Sequence, residues 1–573
     1  MARKEVYTAR RAAPPPRVKD TNKRTDGKDG KDGKERRATA AETEAASPRR
    51  RRQAEAQQAD APAQKADGRQ AAQKAPAKAG AAKREKPIRP AEPPKTARKE
   101  TARKEAARKE MDSPPARRGR VLAAGTQERE PRREGLTRAE KRELKEKKRS
   151  DAIYRDRRRA VSRGGGAGVA LIALLTVLLV AGGLLLRAFA VEGQTDMQAL
   201  ALLAAMVPLG LATTLLLPRF LPIDALIMAL TNLLCGVSVV ILYTVAPSRG
   251  VRQTVFYAGG LAVMLVMAGI VSCVRRWKGI TRLAMVLGMA ALVLPLAFGE
   301  WNNGAKNWVQ LPGLSPFQPS ELVKLALVLT LAYYFSAHRT VWQMMPAIVF
   351  AAVCLLLLML QRDLGTALIY YLTTLVLFYA ACGNLPLTLV GIAGGAGAAV
   401  LGYQMFAHVK VRVAMWKNPW SDPLGKGYQI IQALLAIGSG GLFGVGLGQG
   451  TPEKIPEYHN DFIFAVICEQ MGLIFGLLLL VVYVLLIARG VTVINRSRRS
   501  FDLLLGCGVL AMLAIQTLMI VAGVVKMIPL TGVTMPFMSY GGSSLISCLA
   551  MAGILHGISA RAQDDMEEDI LGV

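Results

Sequence analysis

The sequence predicts an all-α fold, a polytopic membrane helix bundle entered through a long basic tail. Three observations carry that prediction. From Gly168 onward, apolar runs recur at about 17–25 residues, the length a helix needs to cross the hydrocarbon core. Backbone amides in lipid must be satisfied within the segment, so such runs span as helices. The charge is also unevenly divided: residues 1–163 hold 50 Lys/Arg against 25 Asp/Glu, and the other 410 residues hold 23 against 17.

Residues 1–163 are rich in Ala, Pro, Lys, Arg and Glu and almost free of aromatic side chains. Such a chain cannot bury enough apolar surface to offset its ordering entropy, so it reads as a disordered tail. It contains the low-complexity repeats DGKDGKDGKE (26–35) and TARKETARKEAARKE (96–110). No stacking aromatics accompany its charge, so no specific nucleic-acid partner is expected. Thr137 and Glu140 have capping-box spacing and open a charged juxtamembrane helix through about Arg159, expected to lie on anionic membrane lipid. The first apolar run begins near Gly168, so no cleaved signal peptide is expected. The seven cysteines form no CxxC pair, which argues against a disulfide framework or a zinc site.

Twelve spanning helices are expected, at about 168–191, 197–217, 224–246, 253–274, 281–299, 319–337, 342–360, 364–381, 386–408, 461–488, 502–528 and 541–562. With the tail inside, even-numbered helices end inside. The loops after the fourth (Arg275, Arg276, Lys278, Arg282) and tenth (Arg489, Arg496, Arg498, Arg499) then obey the positive-inside rule. Residues 563–573 become a cytoplasmic tail. The long loop 409–460 falls outside the cell membrane, and Asp461 sits at its surface. Cations that the rule does not favour share that face: Arg249, Arg252, Lys306, Arg362, Lys410, Arg412, Lys417 and Lys426. Together they suggest a site for an anionic, membrane-borne substrate.

Four segments stand out near this face: GAKNWVQLPGLSPFQPSELVK (304–324), QRDLGTA (361–367), NPWSDPLGKGYQ (418–429) leading to PEYHNDFIFA, and PLTGVTMPFMSYGGSS (529–544). Together they closely resemble the SEDS family, the FtsW/RodA/SpoVE group of cell-wall polymerases. The resemblance runs from about Asp224 to Ala562, with PFMSYGGSS its most specific element. It implies a ten-helix core over 224–562, so the two helices in 164–223 look like an addition. It also implies a peptidoglycan glycosyltransferase acting on lipid II in the bacterial cytoplasmic membrane. The partners implied are a class B penicillin-binding transpeptidase and other division or elongation proteins.

The family's catalytic acid maps onto Asp461, and the Glu and Lys of its QPSE…K segment onto Glu321 and Lys324. This chain departs from the pattern at Lys306 (usually Arg), Arg362 (usually Pro) and Glu469-Gln470 (usually a Glu pair). The PW motif and the outer loop lean towards FtsW. Candidate substrate contacts are Glu321, Lys324, Lys306, Arg362, Lys417, Ser539 and Ser543.

The chemistry supports this inventory independently. A diphosphate leaving group departs as an anion and needs cations, while an acceptor hydroxyl needs a base. One carboxylate with Lys/Arg, or with a divalent cation such as Mg or Mn, is the expected set. Asp461 and Glu469, eight helical residues apart, would be separated by about 12 Å along the axis, too far for a carboxylate pair. Glu469 is therefore expected to be structural. For Asp461 the plain alternative is a helix N-cap, a role Asn460 could also fill. Glu321 and Lys324 are spaced to form either an ion pair or a diphosphate contact. SYGGSS (539–544) fits a re-entrant turn or a cleft lining. GVGLGQG (444–450) resembles a nucleotide loop only superficially, since no strand precedes it. The competing functions are a transporter or flippase of a lipid-linked precursor and a non-catalytic division scaffold. A transporter predicts an internal repeat, and none is visible.

Overall fold

The computed structural model describes residues 145, 166–190, 194–302, 305–310, 316–337 and 340–571. The expected disordered tail and its juxtamembrane helix, Lys145 apart, lie outside the described residues. Twelve helices among the described residues are long and apolar enough to cross a membrane. In chain order these are α1 (Gly166–Ala188), α2 (Met197–Phe220), α3 (Ala225–Val245), α4 (Pro247–Cys273), α5 (Lys278–Phe298), α6 (Pro319–Ala337), α7 (Val341–Leu360), α8 (Leu364–Cys382), α9 (Leu385–Met405), α12 (Ile463–Ile494), α13 (Ser500–Val524) and α14, whose spanning part is Gly542–Met566. α10 (Ala407–Lys417) and α11 (Tyr428–Gly440) are shorter. A two-stranded ribbon, β1 (Glu300–Asn302) and β2 (Ala305–Trp308), joins α5 to the segment before α6.

Two corrections to the sequence reading follow. The 409–460 segment is not a plain loop: it holds most of α10 and all of α11, whose 11 and 13 residues are too few to span and so give no membrane-length signal. The last helix does not stop near 562 but continues as α14 to Leu571, because its polar final turns still hydrogen-bond as helix.

α3 and α14 form the centre of the bundle, almost wholly buried, whereas α9 lies at its edge. α14 packs along α4, and α1 packs on both α2 and α3. α2 contains Pro208 and loosens to a π-turn at Ala212–Leu216. That turn brings the Thr213 and Thr214 hydroxyls to 2.8 Å from Asn232 Nδ2 of α3, while Asn232 Oδ1 accepts from the Tyr257 hydroxyl of α4 at 2.7 Å. A polar side chain inside an apolar bundle needs such partners, so Asn232 ties α2 to α3 and α4.

The basic stretches 275–282 and 489–499, which run through the α4–α5 and α12–α13 turns, share one end of the bundle, where Trp277 meets Phe501 at 5.1 Å; Asp461, at the start of α12, is at the other. At the basic end, Arg489 pairs with Asp224 at 2.7 Å and Arg561 with the buried Asp502 at 2.8 Å. These contacts pin helix ends and leave the opposite end to be shaped by loops.

Candidate active site

The Asp461 end is built around a broken helix. α12 is 32 residues long, and Gly472 interrupts it with φ 84° and ψ 167°. A break in lipid exposes amides and carbonyls that must find partners. Here the turn after α11 supplies them: Leu473 and Ile474 donate to the carbonyls of Gly441 and Leu442, while Val445 and Gly446 donate to those of Glu469 and Gln470. A Cβ on Gly472 would lie 2.3 Å from the Leu442 carbonyl oxygen, so only glycine fits. The glycine-rich 444–450 segment is thus a backbone splint for α12.

Glu469 sits in this splint. It is buried, its Oε1 accepts from Thr451 N at 3.0 Å, and Gly450 packs against its carboxyl group. Asp461 has other neighbours. It precedes α12, whose cap position is Phe462 and carries no side-chain capping bond. Asn460 does not cap either: its Nδ2 donates to Glu457 Oε2 at 2.9 Å. Asp461 is therefore left facing the site, without a capping duty.

Three residues, Ser539, Tyr540 and Arg249, fix the turn that carries Asp461. The Ser539 hydroxyl donates to the Asn460 carbonyl at 2.6 Å and accepts from Met535 N at 2.8 Å. Tyr540 N donates to the His459 carbonyl at 2.9 Å. Arg249 Nη1 lies 2.9 Å from both the Tyr458 hydroxyl and His459 Nδ1. Burial and then the Arg249 charge push His459 down to about 4, against the pull of Glu457, so its neutral ring accepts from Arg249.

Opposite Asp461 stands Arg412 of α10. A Cβ placed on Gly532 would lie 3.5 Å from Asp461 Oδ2 and 3.7 Å from Arg412 Nη2. Arg412 Nη1 also donates to the carbonyls of Thr531 (3.1 Å) and Leu530 (3.4 Å), and Trp416 Nε1 donates to Lys526 O. α10 is thereby fastened along the 526–532 segment. Burial first, and then the negative charge of Glu457, raise the Asp461 carboxyl to about 7; Arg412 opposes this, and Asp363 adds a smaller upward push.

Asp363 is the knot of the neighbouring wall. Its Oδ2 accepts from Asn307 (2.9 Å), Gln318 (3.0 Å) and the Thr366 hydroxyl (3.0 Å), and its Oδ1 accepts from Thr366 N at the start of α8. Gly365 beside it meets the Thr531 carbonyl so closely that a Cβ would sit 2.5 Å from that oxygen. One carboxylate thus holds β2, the entry to α6 and the start of α8 against the Gly532 segment.

The remaining expected site residues are placed as follows. Glu321 and Lys324 form the ion pair: Lys324 Nζ donates to both Glu321 oxygens at 2.9 Å and to Gln516 Oε1 at 3.0 Å, all within the buried bundle. Ser547 also donates to Glu321. Gln516 in turn donates to Thr534, which meets Ser544 at 2.7 Å, so this network reaches the segment that carries Ser539. Lys306 Nζ donates to the Leu296 carbonyl at 2.7 Å. Lys417 is exposed at the end of α10, and Ser543 is buried in the first turn of α14. Arg362 occupies the turn before α8 with φ 62°.

Arg412 was visible in the sequence only as one of eight cations, and Arg249, Gln516 and Gly532 gave no individual signal. Asp363 carried a readable helix-start pattern. Among the described residues no three His, Cys, Asp or Glu side chains converge as metal ligands.

Fold and site define a polytopic membrane protein with a carboxylate–guanidinium site at one end of its bundle. The model of the FtsW/RodA/SpoVE cell cycle proteins matches residues 219–564, and the chain belongs to that family. Similar proteins include the peptidoglycan glycosyltransferase RodA of Mycobacterium tuberculosis (strain ATCC 25618 / H37Rv), 33% identical over 380 residues, covering 60% of this chain and 80% of that one. The probable peptidoglycan glycosyltransferase FtsW of Geobacter sulfurreducens (strain ATCC 51573 / DSM 12127 / PCA) is 36% identical over 320 residues, covering 54% and 85%. Among solved structures, a chain of a peptidoglycan synthase complex coordinating polymerization and crosslinking is similar at 28% identity and a TM-score of 0.51, covering 60% of this chain and 98% of that one. α1 and nearly all of α2 precede the family match.

Proposed function

We infer that this protein is a peptidoglycan glycosyltransferase serving cell shape or division, with lipid II as its substrate and Asp461 as its general base. The observation that carries the catalytic reading is an uncapped carboxylate, raised to about 7, beside a fixed guanidinium. A base that titrates near the working pH is well matched to taking a proton from a hydroxyl.

In the step we propose, Asp461 accepts the proton of the acceptor sugar hydroxyl as its oxygen attacks the anomeric carbon of the donor. The new glycosidic C–O bond forms while the bond to the lipid diphosphate breaks, and the electron pair leaves on the diphosphate. Arg412 stabilises that developing charge, and no general acid is needed. Because the Leu530 and Thr531 carbonyls hold Arg412 in place, little reorganisation is required during the reaction.

The basic loops at the end opposite Asp461 support an extracytoplasmic site with both termini inside. Similarity to a chain of a synthase complex supports a penicillin-binding transpeptidase as partner. Purified protein incubated with labelled lipid II, with and without Asp461→Asn, tests the function. Glycan from the wild type and almost none from the variant is expected. Lipid II translocation without glycan would favour the transporter, and neither activity would favour the scaffold.

A further inference from the structure

The mechanism above leaves His408 unused. It stands four residues before Arg412 on α10, so the two side chains share a face of that helix. Its Nε2 is shielded from solvent and meets no hydrogen-bond partner in the protein. A buried polar atom left unpaired is costly unless something else pairs with it. Phe406 holds the ring at a centroid distance of 5.5 Å. Partial burial, then the charge of Arg412 and then that of Arg362, keep the imidazole below its ordinary range, so it is neutral at pH 7. Arg412 and Gly365, the latter three residues after Arg362, both close on the Thr531 carbonyl, so the Arg362 turn lies beside α10.

Arg362 arrives from another element, the turn between α7 and α8. Its φ of 62° is closed to proline, whose ring fixes φ near −65°. The resembling pattern has proline here, whereas this chain carries a cation.

We infer that His408 and Arg362 join Arg412 in a cradle for a diphosphate group, with His408 donating an Nε2–H bond to a phosphate oxygen. This rests on the lipid-diphosphate reading of the site. Two guanidinium groups supply charge and forked donors, and a neutral imidazole supplies one directed donor without adding repulsion between them. Arg412 belongs both to this cradle and to the Gly532 contact with Asp461, so a diphosphate held there leaves its sugar beside the base.

The test uses the full chain in nanodiscs, with labelled lipid II as substrate and inorganic pyrophosphate as the competing probe. His408→Phe keeps a ring and loses the donor. It should raise the lipid II KM and the pyrophosphate inhibition constant about tenfold, with kcat changed much less. His408→Gln, which restores an N–H, should recover most of that loss, and Arg362→Gln should weaken both constants as His408→Phe does. Equal defects in His408→Phe and His408→Gln, or unchanged pyrophosphate inhibition in His408→Phe, would overturn the cradle. The same deficit in phosphatidylcholine and phosphatidylglycerol discs supports a donor diphosphate; one confined to phosphatidylglycerol assigns the site to bulk lipid headgroups and overturns it. If the wild type makes no glycan, calorimetry of pyrophosphate binding still decides: binding lost in His408→Phe supports the cradle, and binding retained refutes it, independently of the proposed function.

Discussion

Asp461 and Arg412 flank Gly532, whose missing side chain leaves their carboxylate and guanidinium 3.5 and 3.7 Å from the point a Cβ would occupy. Gly532 also has φ 72°, a conformation that L side chains resist. Gly532→Ala should therefore lose about 1–2 kcal/mol of stability and most of its polymerase activity. Gly383 has a similar φ of 62° but nothing within 4 Å of its Cβ position. Gly383→Ala should show the strain in thermal unfolding while keeping activity. Equal activity loss in both would detach Gly532 from the chemistry.

Asp461→Asn separates the base from the helix cap. Because Phe462 occupies the cap position without a side-chain bond, the substitution removes no cap, and losing a carboxyl whose ionisation costs stability should leave insertion intact and hold or raise the melting temperature near neutral pH. Glycan synthesis should fall by ~10²–10⁴. A product gel beside a melting curve reads both. Near-normal polymerisation would remove Asp461 from the mechanism.

The pH dependence of the reaction follows from the same carboxylate. The base form is active, so kcat/KM should rise with pH through about 7 and then level. Glu457 raises this value and Arg412 lowers it. Glu457→Gln should therefore move the acidic limb to lower pH, and Arg412→Gln should move it higher in the residual activity. The stability effect has the opposite sense. The folded carboxyl binds its proton more tightly than an unfolded aspartate, near ~3.9, so Asp461 costs stability progressively as pH rises from about 4 to about 7. pH–rate profiles of the two variants check the assignment, and a limb unmoved by either would refute it.

The buried pair of α6 should behave as a unit. Lys324→Met leaves Glu321 buried without its cation and should cost about 3–5 kcal/mol, whereas Glu321→Gln with Lys324→Met should recover much of that loss. Thermal unfolding of the single and double variants measures the coupling. Additive losses would mean that the 2.9 Å contact contributes nothing as a pair.

Topology can be read with an impermeant thiol reagent on a background lacking the native cysteines. Ser421 precedes α11 and Ser500 opens α13, and both are exposed. Ser421→Cys should label from outside and Ser500→Cys should not. The reverse pattern would turn the protein over and place Asp461 inside. Ser497, although in the same basic loop, is buried and would make a poor probe.

The sequence by itself determined the twelve spans, the basic end and the candidate acid. Length and apolarity decide what enters lipid, and His459-Asn460-Asp461 stands where an apolar run begins. The family motifs added the expectation that Asp461, Glu321 and Lys324 matter. Tertiary structure alone decided how those residues are used. It joined Lys324 to Glu321 and Gln516, because an ammonium inside the bundle needs partners from more than one helix. It made Glu469 part of a splint, because the break at Gly472 must be satisfied by a segment about thirty residues earlier in the chain. It singled out Arg412 from eight cations by fastening it to the Leu530 and Thr531 carbonyls beside Gly532. The Gln516 and Arg412 contacts join positions more than a hundred residues apart, and their energy depends on distance in space, which no local pattern of residues records.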